Sequence, residues 1–117
     1  MSTQSPVAIG WNATANAFTA GQAAARMAMQ RLAMRQAQCA IVFGSSWFDQ
    51  AKLLEGVRSV FSDTPVVGGS TAGEILPEGP RSHGCLVLAV GYDDIIASIG
   101  MGTAIEDNPR LAGYQAA

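Results

Sequence analysis

The chain has 117 residues, seven basic and nine acidic side chains, a net charge of -2, and 49 % apolar against 14 % charged residues. That length suits one small α/β domain, and so apolar and weakly charged a chain is not disordered. Its scattered basic residues form no patch for a phosphate backbone, no run of about 20 apolar residues offers a membrane span, and Met1 to Pro6 has neither the charge nor the apolar core of a signal peptide; a cytoplasmic protein without nucleic-acid or membrane partners is expected.

The elements follow in chain order. Val7-Ala-Ile-Gly-Trp11 is short and partly β-branched, so a strand is predicted over 7–12. Asn12 to Asn16 break it with capping residues. A helix is predicted over 17–36, where Ala17, Gly21, Ala24, Ala28 and Leu32 share one stripe and Gln22, Arg26, Gln30 and Arg35 lie opposite. The stripe is mostly of small residues, which lets the helix approach a sheet closely.

Cys39-Ala-Ile-Val-Phe-Gly44 is a continuous apolar run, as in strands covered on both faces. Leu53, Leu54, Val57 and Phe61 have helical spacing and predict a helix over 49–61. Pro65-Val-Val-Gly-Gly69 is a third strand. The order β-α-β-α-β implies parallel strands joined by crossovers. Leu76 to Arg81 is rich in Pro and Gly and reads as a loop. Strands over 84–90 and 95–102, joined by Gly91-Tyr-Asp-Asp94, would form an antiparallel hairpin. Pro109 then opens a third helix. The fold class is therefore α/β with a mixed sheet.

Cys39 and Cys85 each sit in an apolar run and read as reduced core thiols. With His83 the single histidine, the chain offers neither a disulfide framework nor a metal ligand set, and no cofactor is expected.

Ligands of open α/β sheets bind beyond the carboxyl ends of the parallel strands. Those ends are polar here: Asn12 and Thr14, then Ser45 and Ser46, then Gly68-Gly-Ser-Thr-Ala-Gly-Glu74. The loops would bring hydroxyls, an amide, backbone N–H groups and one carboxylate to a common edge. The candidate ligand-binding residues are Asn12, Ser45, Ser46, Gly69, Ser70, Thr71, Gly73 and Glu74. Such residues also serve simply as caps and turns.

The segment Val67-Gly-Gly-Ser-Thr-Ala-Gly-Glu-Ile75 closely resembles the signature of FIST N-terminal domains. The Ala-rich first helix, the Ile41-Val-Phe-Gly44 strand, the Leu53-Leu54 helix with Val57-Arg58 and the following hairpin fit the same order, from about Ala8 onward. The resemblance implies a sensory input domain of bacterial intracellular signal transduction, with a small-molecule ligand such as an amino acid. It also implies that residues 1–117 are one partial domain, continued by the remainder of a FIST domain or by an output domain. Low charge and a short last helix add the expectation of a homo-oligomer.

Two other classes compete with the sensor. A small enzyme would have to use Ser70, Thr71 and Glu74, yet Gly68-Gly69-Ser70-Thr71-Ala72 lacks the final glycine of a nucleophile elbow. A glycine-rich loop followed by lysine is also missing. An interaction or dimerisation fragment would have no ligand of its own. A binding module rather than an enzyme is the favoured reading.

Overall fold

The computed structural model describes residues 6–32, 36–72, 74–76, 79–81, 83–92 and 97–117. The chain forms β1 (Val7–Asn12), α1 (Ala17–Arg31), β2 (Cys39–Ser45), α2 (Gln50–Arg58), β3 (Val66–Thr71), β4 (Glu74–Leu76), β5 (Gly79–Arg81), β6 (Cys85–Val90) and α3 (Pro109–Ala116). Four strands make one mixed sheet in the order β1-β6-β2-β3. β2 and β3 pair in parallel, and β6 runs antiparallel to both β1 and β2. The strands β1, β2 and β3 therefore all point the same way, as the crossover argument requires, although β6 lies between the first two.

The predicted hairpin over 84–102 is corrected. Residues 97–102 belong to no strand, and 93–96 lie outside the described residues. β6 spends one edge on β1 and the other on β2, so it has no edge left for a following strand. The antiparallel hairpin falls instead on β4 and β5, where a loop was expected, with Glu74 opposite Arg81 and Leu76 opposite Gly79.

The helix predicted over 17–36 is shorter. It ends at Arg31, and the N–H of its cap Leu32 donates to the Ala28 carbonyl at 3.1 Å. Residues 33–35 lie outside the described residues. Fifteen residues at about 1.5 Å make a helix about as long as a strand of six or seven residues at about 3.3 Å. Beyond that length the chain must return: Ala37 is buried and the Gln38 N–H donates to Val90 at 2.6 Å, leading into β2.

The small-residue stripe does what its composition suggests. Ala20, Gly21, Ala24, Ala25 and Ala28 are buried, with Leu32 below them. A side chain at Gly10 of β1 would strike the backbone of α1 at Ala24 and Ala28. One at Gly21 would meet the Leu53 carbonyl of α2, and one at Gly56 of α2 would meet the Phe18 carbonyl of α1. Backbone thus rests on backbone at both contacts of α1. Gln22 Nε2 adds a hydrogen bond to Ser59 Oγ across the crossing, 3.1 Å long.

The helices α1 and α2 cover one sheet face, built from Ala8, Gly10, Ala40, Val42, Gly44, Cys85, Val87 and Ala89. The alternate residues of the strands are also apolar, and on that opposite face Ile9, Phe43 and Val67 remain exposed. The continuous apolar runs predicted cover on both faces; α1 and α2 supply it on one.

α3 starts at Pro109, with Asn108 Oδ1 accepting the Leu111 N–H at 3.1 Å. It is held by the segment before it. Gly100 and Gly102 lie against the carbonyls of Ala116 and Ala112, and the Thr103 N–H donates to Gln115 Oε1 at 3.3 Å.

The close helix crossing makes Gly56→Ala destabilising by about 1–3 kcal/mol, through overpacking against a carbonyl that has little room to retreat. Gly113→Ala in α3 meets nothing within 4 Å, and should be neutral or stabilise that helix by up to about 1 kcal/mol. Urea denaturation of the two variants checks the contrast; equal shifts would remove the case for backbone contact at Gly56.

Candidate functional site

Because β1, β2 and β3 are parallel, their carboxyl ends share one edge, and β6 begins there. The register carries a line of residues across it. Asn12 lies opposite Cys85, Cys85 opposite Gly44, Gly44 opposite Ser70, and Ser45 opposite Thr71. The loops are tied together as well: the Ser46 N–H donates to the Thr71 carbonyl at 2.9 Å, and the Ser45 N–H to the Gly84 carbonyl at 3.0 Å.

The predicted residues divide by role. Asn12 Oδ1 accepts the Thr14 N–H at 2.8 Å, which shapes the turn from β1 toward α1. Ser45 is only 2 % exposed. Its Oγ accepts the Trp47 N–H at 3.2 Å, and its carbonyl accepts both the Phe48 N–H at 3.1 Å and Gln50 Nε2 at 2.9 Å. Ser45 is thus the inner support of the loop. Ser46, Gly69 and Ser70 are exposed and Thr71 is half-buried, so these groups can meet a solute. Glu74 opens β4, and Gly73 lies outside the described residues.

Two clefts adjoin this end of the sheet and its helices. One, of about 410 Å³, lies between the loops that enter α1 and α2 and is lined by Asn16, Phe18, Trp47, Phe48, Asp49 and Lys52, with Ala15 and Ala17. Both helices begin at it. Asn16 Oδ1 caps α1 by accepting the Thr19 N–H at 2.9 Å, and Asp49 Oδ1 caps α2 by accepting the Lys52 N–H at 3.2 Å. The second, of about 320 Å³, is apolar, with Val42, Leu53, Val67, Ile99 and Met101 among its walls. Gly69 lines this second cleft; Asn12, Ser45, Ser46, Ser70 and Thr71 line neither.

Sequence reasoning missed the aromatic cluster at the same edge. The rings of Trp47 and His83 stack at 4.4 Å with 16° between their planes. Phe48 meets Trp47 at 5.4 Å and 67°. His83 precedes β6, and the central position of that strand delivers the ring to the loop after β2. The only signal in the sequence was an aromatic pair set directly after Ser45-Ser46.

The family model of the FIST N domain matches residues 38–117, more than half of the chain. The chain belongs to the FIST N family. The match runs from the start of β2 to the end of α3 and contains Gly69 to Glu74. β1 and α1 precede it, so the likeness expected from Ala8 onward is carried by the match only from residue 38. FIST domains are sensory domains of signal transduction. No curated protein matches this FIST N chain. Among its described residues no helix is long and apolar enough to cross a membrane.

The two serines of the loop should respond differently to truncation. Ser45→Ala removes a buried acceptor and is expected to cost about 1 kcal/mol in chemical denaturation. Ser46→Ala changes an exposed hydroxyl and should stay within about 0.5 kcal/mol of the parent.

Proposed function

We propose that this FIST N chain is the small-molecule-binding input part of a signal-transduction protein, with an amino acid or a metabolite of similar size as its ligand. The observation that carries the reading is the common direction of β1, β2 and β3. It sets the loops after β2 and β3 side by side, joined by the bond from Ser46 to Thr71. The exposed Ser46 and Ser70 and the backbone of Gly69 suit a carboxylate, which needs several donors. Asn12 and Ser45 act behind them by holding the loop shapes. In this reading the Glu74 carboxylate receives the ligand ammonium.

Binding rather than catalysis is supported by the surroundings of the one histidine. His83 is stacked on Trp47 and has no hydrogen bond to Ser70, so the two are not set up as base and nucleophile. The face bearing Ile9, Phe43 and Val67 supports a unit that works packed against further protein: the rest of a FIST or output domain, or a second copy. A cytoplasmic location accords with such a role.

A thermal-shift screen of the chain against the common amino acids tests the function. A saturable rise in Tm with one chemical group of ligands is expected, since a ligand that binds only the folded state stabilises it. Glu74→Gln should weaken that ligand about tenfold. An unchanged affinity together with a lowered Tm would make Glu74 a loop cap, and no shift with any amino acid or small carboxylate would remove the sensor reading.

A further inference from the structure

We infer that the cleft at the start of α1 and α2 selects a ligand that carries an aromatic ring; the inference rests on the sensor reading above and names the class of ligand. The cleft begins where the polar edge ends. Trp47 directly follows Ser46, whose N–H bonds the Thr71 carbonyl, so the aromatic wall stands one residue along the chain from the hydroxyl-bearing loops. Its volume of about 410 Å³ lies in the range of small-molecule sites.

The walls decide the chemistry. Trp47 is 54 % exposed and Phe18 is 36 % exposed, although large aromatic side chains are mostly buried on average. Trp47 is also braced. His83 lies nearly parallel on it and Phe48 meets it at a steep angle, so its orientation is set before any ligand arrives. A pre-set ring loses little freedom on binding another one, which is how a rigid aromatic anchor gains affinity.

The polar groups of the cleft are less able to discriminate. Asn16 and Asp49 each spend a side-chain oxygen on capping a helix. Lys52 is paired with Glu55 at 3.6 Å, and both side chains are more than half exposed, so this cation is well hydrated and adds little. Choice among ligands therefore falls to Phe18 and Trp47, with Phe48 buried behind them as a brace. A ring placed against them in an offset or edge-on arrangement gains about 0.5–1.5 kcal/mol beyond its buried area.

Trp47 is also a built-in reporter. The second tryptophan, Trp11, lies under the Arg31 guanidinium at 4.7 Å and does not line the cleft, so Trp11→Phe leaves Trp47 as the one indole emitter. We would titrate this variant with L-phenylalanine and L-leucine, following Trp47 emission, and repeat both titrations on the unaltered chain by calorimetry. The expected result is saturable binding of phenylalanine about tenfold tighter than leucine. Phe18→Leu, which keeps apolar volume and removes the ring, should reduce that preference at least threefold with Tm unchanged. Equal binding of the two amino acids would overturn the aromatic selection and leave the sensor reading standing. Binding of neither at millimolar concentration, with other amino acids still raising Tm, would also overturn it. Failure of every amino acid would overturn both.

Discussion

The arrangement depends on how closely α1 lies against its neighbours. Gly10 lets the helix backbone descend onto β1, and Gly21 with Gly56 lets it touch α2. Alanines fill the rest of the contact. A layer of leucines at these positions would hold the helices several ångströms apart, at the usual spacing of about 8–10 Å between axes. With small residues, attraction comes from many backbone and methyl contacts at short range, each weak and together substantial. The same closeness draws the first turns of α1 and α2 together, and Asn16 and Asp49 end on two sides of one cleft.

The second constraint is the place of β6. An antiparallel strand inserted between two parallel ones uses every backbone group on both of its edges. Its start therefore lies at the carboxyl ends of β1 and β2, which brings His83 to Trp47 and Gly84 to Ser45. This edge of the FIST N chain is thus assembled from four strands, one of them running the opposite way. The aromatic cluster is a product of that reversal.

The polar and aromatic parts of the edge differ in how they are supported. Half-buried Asn12 and buried Ser45 spend side-chain oxygens on Thr14 and Trp47. Their work is to hold loops, while Ser46 and Ser70 are exposed. Division into supporting and exposed groups is what a binding loop needs, because a group that satisfies a backbone N–H is less available to a ligand.

Much of this was legible in the residues. Period and caps placed β1, β2, α2 and the start of α3, because hydrophobic spacing and capping oxygens act over a few residues. The Gly68 to Glu74 segment pointed to the FIST family before any coordinate. Other features depended on contacts distant in sequence. The end of α1 at Arg31 carries no mark in the sequence, since Leu32 is as able to be helical as the residues before it. The strand expected over 95–102 has every local mark of one; β6, already paired on both edges, could not accept it. The separation of Ser45 from Ser46 into a buried support and an exposed group followed from the register of β2, and the stack of His83 on Trp47 from the direction of β6. The sequence by itself determined which segments are apolar, where helices begin and which family signature is carried. Only the tertiary structure decided which edge each strand offers and which side chains meet there, because hydrogen-bond pairing between strands is a competition among all of them and no single segment contains its outcome.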